Sequence, residues 1–124
     1  MSSMSIQIEA SDGWRLDCLV LEACGDVQGV ALLGHAMMAD RRSMDRPTGR
    51  GLASFLQEAG WHVYLLDIRG HGASGPTAQE GGSWDYDDIV QRDLPAAVAA
   101  VQERHPGLPV VFVGHSLSGH ASVA

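Results

Sequence analysis

The chain has 124 residues, 45% of them apolar, with 15 glycines, and its 15 acids against 8 Lys and Arg give a net charge of −7. That size suits one domain or part of one, and the apolar content with frequent turn-forming glycine argues against a disordered chain. An acidic chain without a Lys/Arg block lacks the counterion-release term that drives nucleic-acid binding, so no nucleic-acid partner is expected. No stretch approaches the roughly 18 consecutive apolar residues of a membrane span. Residues 1–9 have neither a basic n-region nor an apolar h-region, so no signal peptide is read there. Cys18 and Cys24 form no CxxC or zinc-like arrangement and read as reduced thiols of a cytoplasmic protein.

Ile6, Ile8 and Ala10 alternate with polar residues, and Trp14, Leu16, Cys18 and Val20 do so again after Ser11-Asp12-Gly13. Two period-2 runs around an Asp-Gly turn predict an antiparallel hairpin with one half-buried face. Val30-Ala31-Leu32-Leu33 is apolar without alternation, the pattern of a strand covered on both faces. Leu52, Phe55, Leu56 and Ala59 recur at helical spacing, with Gly60 as the stop. A second buried strand follows at residues 62–67. Strand, helix and strand make a βαβ unit, whose two strands should be parallel.

Residues 68–82 are a long glycine-rich loop. Ile89 or Val90, Leu94, Ala97 or Val98, and Val101 form a second helical stripe ending near His105-Pro106-Gly107. The acids Asp85, Asp87 and Asp88 precede it, where they would cap the helix and favour its N-terminal dipole. A third apolar strand, residues 110–113, closes the series. There is no internal repeat and no linker. The predicted fold class is α/β: an N-terminal antiparallel hairpin, then parallel βαβ strands with helices on the faces. Any site belongs beyond the carboxyl ends of the parallel strands, at residues 35–38, 67–75 and 115–119.

The last of these loops carries the most chemistry. Gly114-His115-Ser116-Leu117-Ser118-Gly119 is nearly the nucleophile elbow G-x-S-x-G, with Ser118 at the second glycine's place. A strand-to-helix reversal this tight tolerates only small neighbours two before and two after the central residue, and Gly114 and Ser118 are small. At a helix N-terminus Ser116 would have unpaired backbone N–H groups aimed at whatever it attacks. The plain alternative is a Gly/Ser-rich helix cap with no chemistry, and the motif by itself leaves the two evenly balanced. Context favours chemistry. Acyl transfer needs a second donor for the developing oxyanion, and the Leu33-Gly34-His35-Ala36-Met37 segment sits where that donor is expected. The N–H groups of Met37 and Leu117 would form the oxyanion hole. The plain reading of that segment is an ordinary strand-end loop.

Gly34-His35-Ala36-Met37, then Asp67-Ile68-Arg69-Gly70-His71-Gly72-Ala73-Ser74, then Gly114 to Gly119, in that order, resemble the α/β-hydrolase superfamily. Within it the lysophospholipase, monoglyceride-lipase and serine-aminopeptidase-like group is the most similar. The resemblance runs roughly from Ile6 to the end of the chain. It implies an incomplete α/β-hydrolase sheet spanning residues 1–124. It also implies a small-molecule ester or amide substrate, an acyl-enzyme on Ser116, and a mainly architectural role for the Asp67 to Ser74 loop. It implies no cofactor and no metal.

Two other motifs read as decoys. Gly70-His71-Gly72-Ala73-Ser74-Gly75 matches the dinucleotide fingerprint, but the Pro76 to Gly82 segment cannot open the amphipathic helix that would face a pyrophosphate. His35, His71 and His115 lie on three converging loops without an i, i+4 partner or a HExxH frame, so a zinc site is not expected.

The resemblance places the triad in the order Ser, acid, His. After Ser116 there is no acid and one histidine, His120, a single helical turn on and badly placed to take the serine proton. A hydroxyl without a base is a weak nucleophile at neutral pH. The expectation is therefore an N-terminal portion of a serine hydrolase, inactive in this form, with the acid, the histidine, the lid and later strands outside it. The alternative is a non-catalytic half-domain that pairs with a partner chain. In either case strand 110–113 is an exposed apolar edge prone to self-association or partner binding.

Overall fold

The computed structural model describes residues 3–34, 51–69, 74–75 and 88–114. Its strands are β1 (Ser3–Glu9), β2 (Arg15–Leu21), β3 (Gly29–Gly34), β4 (Trp61–Leu66) and β5 (Val110–Gly114), in sheet order β1-β2-β4-β3-β5. β1 and β2 are the expected antiparallel hairpin, in register from Ser3↔Leu21 to Glu9↔Arg15. Its turn closes through Gly13 N–H to Ala10 O at 2.9 Å, and Gly13 adopts φ 89, the left-handed conformation that lets the ladder resume at Trp14. β2 runs antiparallel to β4, whereas β4, β3 and β5 are parallel to one another. The result is a mixed sheet.

β3 lies between β4 and β5, and all six of its residues are buried. Two-sided cover is what its unbroken apolar run requires. On one face Leu16, Cys18, Val30, Leu32, Tyr64 and Leu66 pack with Ile89, Ala97 and Val101. On the other, Ala31, Leu33, Val63 and Leu65 pack with Ala53. Each fully buried Val or Leu contributes about 1.5–3 kcal/mol of transfer free energy, so β3 and β4 anchor the domain.

Helix α1 (Leu52–Glu58) forms where helical spacing predicts, but turned about its axis. Ala53 and Gln57 are buried and Leu56 is half-buried, whereas Leu52 and Phe55 are 40% and 67% exposed. Polar anchoring overrides the apolar pattern. Gln57 Nε2 donates to Glu22 O at 2.8 Å, and Gln57 O accepts from Cys24 N–H at 3.1 Å, stapling the helix to the segment after β2. Gly60 does stop it, at φ 99, with its N–H on Gln57 O and its carbonyl accepting from Gln28.

The second helical stripe begins as a π turn, Ile89–Asp93, and continues as α2 (Leu94–Arg104). Pro95 gives a physical reason. It has no N–H to donate to the preceding turn and its ring would crowd the carbonyl of residue 91, so the turn before it widens. The wider turn also sets the position of Ile89. Ile89, five residues before Leu94, comes onto the buried face with Leu94, Ala97 and Val101. Asp88 makes no side-chain cap hydrogen bond; it pairs instead with Arg92 at 3.3 Å, one turn along. Asp85 and Asp87 lie outside the described residues.

Candidate active site

The three parallel strands deliver their carboxyl ends side by side. Gly34 of β3 is the register partner of Leu66 in β4 and of Gly114 in β5. Neighbouring strands lie about 4.8 Å apart, so the loops after Gly34 and Gly114 start as immediate neighbours. Met37 follows Gly34 by three residues and Ser116 follows Gly114 by two. Ser116, Leu117 and Met37 themselves lie outside the described residues, as do His35, His71, His115, His120 and Gly70 to Ala73. The described structure thus fixes the roots of the candidate site.

The third root, the loop after β4, is held by its own side chains. Ser74 Oγ donates to Asp67 O at 2.6 Å and accepts from Asp17 N–H at 2.7 Å, while Asp67 N–H donates to Asp17 O at 3.0 Å. Trp14 Nε1 donates to Ser74 O at 2.9 Å. The two ends of the loop are therefore tied to each other and to the hairpin. The sheet-side interactions of Asp67 and Ser74 agree with an architectural reading of this motif.

Between them Arg69, 1% exposed, is the largest buried charge. Its Nε and Nη2 each lie 2.7 Å from Asp93 Oδ1, and its own N–H donates to Asp93 Oδ2 at 2.9 Å. Nη1 and Nη2 reach Asp12 at 2.7 and 3.0 Å, and the guanidinium carbon lies 4.9 Å from the Trp14 ring centre. One side chain thus joins the hairpin turn, the loop after β4 and the π turn. Its hydrogen bonds hold the Asp12 carboxyl down at about 2 against the opposing pull of burial. For Asp93, fully buried, desolvation is the larger influence and pushes the carboxyl up, with the Arg69 bonds opposing it.

Asp93 was not singled out from the sequence. The available signal was an acid on the buried side of an apolar stripe, four residues before Ala97 and one before Leu94. A second polar group also went unread. His62 and His105 stack with ring centres 4.6 Å apart, near the amino ends of the parallel strands and away from the candidate site. His62 Nδ1 accepts from Ala23 N–H at 3.0 Å. Arg104 Nε donates to the Tyr64 hydroxyl at 2.8 Å, and that hydroxyl lies 2.7 Å from His105 Nε2. Burial, then the His62 and Arg104 charges, push the His105 pKa down.

Among known proteins, the profile of the serine aminopeptidase S33 hydrolase family matches residues 48–124. A monoacylglycerol lipase of Mycolicibacterium smegmatis is 32% identical over 94 residues, covering 76% of this chain and 31% of that protein. The Pyrococcus furiosus esterase Pf2001 superposes with a TM-score of 0.78 at 20% identity, over 98% of this chain and 46% of the esterase. A thermostable carboxyl esterase of Bacillus coagulans gives a TM-score of 0.78 at 20% identity, over 98% and 38%. At these identities the two structures establish the fold. The chain spans about a third of the curated lipase and less than half of each solved esterase. A family profile covering the helix–strand–loop–helix–strand half of the chain, on a sheet whose strand ends converge as described, shows that the chain belongs to the serine aminopeptidase S33 family of α/β-hydrolases.

Proposed function

We propose that this chain supplies the nucleophile and the oxyanion hole of a serine hydrolase that acts on carboxylic esters, with amides as the related substrates. The observation that carries the reading is the register of Gly34 with Gly114. Two short excursions from adjacent strand ends, about 7 Å to Ser116 at full extension, suit a serine hydroxyl and two backbone donors meeting on one carbonyl group. Ser116 Oγ attacks the carbonyl carbon as a base takes its proton, and the oxygen of the tetrahedral intermediate accepts from Met37 and Leu117 N–H. Collapse expels the alcohol or amine, which takes the proton from that base, and leaves an acyl group on Ser116. Water activated by the same base releases the acid. Removing one such donor typically costs about 100–1,000-fold in rate.

Within these 124 residues no acid follows Ser116 and His120 is a poor base for it, so this reading needs a base and an orienting acid supplied from outside them. On this reading residues 1–124 alone do not turn over esters. The test is hydrolysis of a short-chain aryl ester by a version extended past Ala124, with and without Ser116→Ala. Loss of activity in the variant is expected; retained activity contradicts the nucleophile assignment. A chain that stays inert when extended but forms a defined complex with another protein would favour the second reading, a non-catalytic half-domain. The exposed β5 edge, with Val111 42% exposed, is the observation behind that reading.

A further inference from the structure

The sheet has a second edge, β1, whose properties differ from those of β5. Ala10 and Trp14 form a hydrogen-bonded pair at the hairpin turn, and the ladder runs without a bulge to Ser3↔Leu21. In such a ladder alternate residues turn their N–H and C=O groups away from the partner strand. Counting back from Ala10, the even residues bond to β2 and the odd ones, Ser3, Ser5, Gln7 and Glu9, direct theirs outward.

Natural sheets blunt such an edge with Lys, Pro, a bulge or a short strand. β1 has none of these over seven residues, and its only charge is Glu9 at one end. Its side chains also separate cleanly: Met4, Ile6 and Ile8 share one face, and Ser5, Gln7 and Glu9 share the other. Beside this edge lies an open groove of about 590 Å³ between β1 and α2, lined by Ile6, Ile8, Ala96, Ala99 and Ala100 together with the polar Gln7, Glu9, Glu103 and Arg104. Met4, further along the same strand, is 44% exposed.

We infer that β1 is the contact of a two-fold symmetric dimer, in which it pairs antiparallel with β1 of a second copy about Ile6. The strand runs from Ser3 to Glu9, so a centre at Ile6 is the one register that pairs all seven residues. It sets Ser3 against Glu9 and Ser5 against Gln7, both between outward-directed residues. Four such pairs, at two bonds each, give about eight hydrogen bonds. It also sets Met4 against Ile8 and Ile6 against its own symmetry mate. Polar side chains meet polar ones, apolar meet apolar, and neither Glu9 faces another acid. The partner's Met4 and Ile6 then lie beside the groove, against its Ile6, Ile8 and alanine side, and its Glu103 and Arg104 flank the contact. The two α2 helices then approach across the axis through the same small side chains, and the two sheets join into one.

The test is sedimentation of the 124-residue chain at micromolar concentration, alongside Ser5→Lys/Gln7→Lys. Both positions are exposed on the polar face, and the double change places lysines opposite each other across the axis without touching the pairing to β2. The native chain is expected to sediment with the mass of two 13.2 kDa chains and the double variant as one, with unchanged far-ultraviolet circular dichroism. Gln7→Pro, which removes one outward donor, should also be monomeric. Register is read by mixing Ser5→Cys with Gln7→Cys chains under mild oxidation. The mixed disulfide should form well beyond the twofold excess over either homodimer that random pairing gives. A monomeric native chain overturns the inference, as does a dimer that survives both edge variants, which would place the contact at β5 or elsewhere. A mixed yield at or below twice that of either homodimer overturns the register.

Discussion

Replacing Arg69 by methionine removes the guanidinium while keeping an unbranched apolar stem of similar reach. Asp93, with no exposed side-chain surface, then keeps only the Arg69 backbone N–H at 2.9 Å. Breaking a buried pair by deleting one partner costs about 3–5 kcal/mol, because a charge is left uncompensated in low dielectric. Asp12 is 30% exposed and can turn to water, so its loss adds little. Against a domain stability of about 5–15 kcal/mol, a loss near 4 is a large share. Urea unfolding followed by circular dichroism reads it as a lower midpoint at unchanged slope. The pH dependence supplies a second signature. Without the guanidinium, burial of Asp93 is opposed only by the residue 69 backbone N–H, so its folded-state pKa rises further above the unfolded value. Such a group gives stability below the unfolded pKa that is lost as pH rises through the folded one. Arg69→Met should therefore recover stability as the pH is lowered from neutral toward 5. The native chain shows the Asp93 trend more weakly, because the Arg69 bonds oppose burial, and it also holds the Asp12 contribution above pH 4 and loses it as pH falls toward about 2. Arg69→Met/Asp93→Leu, which removes both charges, should regain a good part of the loss. A cost below about 1 kcal/mol for the single change, or a double variant worse than the single, would refute the reasoning.

At Gly60 an added Cβ would meet Asp26 O on a φ 99 backbone, so Gly60→Ala should cost about 2–3 kcal/mol in the same urea assay. Gly25→Ala, at φ 71 with nothing within 4 Å, isolates the backbone strain and should cost less; equal costs would remove the steric part of the argument. His105 has a folded-state pKa below its ordinary value of 6.5, so it stabilises the chain above that pH and the contribution fades as pH falls. His105→Gln should flatten the stability lost between pH 7 and pH 5, and an unchanged profile would exclude the His62–His105 stack as its source.

The strands were legible because each buried one is an unbroken apolar run and each half-buried one alternates. Val30 to Leu33 could be little else, and Asp12-Gly13 sets the hairpin by local backbone chemistry alone. Orientation about a helix axis was less legible. Leu52 and Phe55 look like core residues by spacing, yet Gln57 decides which side of α1 faces inward through two hydrogen bonds to a segment more than 30 residues earlier. Likewise, the burial of Ile89 depends on a π turn that regular 3.6 spacing does not anticipate. The Arg69–Asp93 pair spans 24 residues, and nothing periodic announces it. The candidate site was legible in motif order, since Gly34, Asp67 and Gly114 each end an apolar run. That Gly34 and Gly114 are direct neighbours, with β3 between β4 and β5, follows from sheet order, which a single sequence does not state.

The central claim is that Ser116 is the nucleophile and that its base lies beyond these 124 residues. Mapping the adduct of a serine-directed phosphonate by peptide mass spectrometry tests both halves together. The account predicts one modified residue, Ser116, labelled rapidly in protein extended past Ala124 and negligibly in the 124-residue chain. Modification of another serine, or equally rapid labelling of Ser116 in the shorter chain, would contradict it.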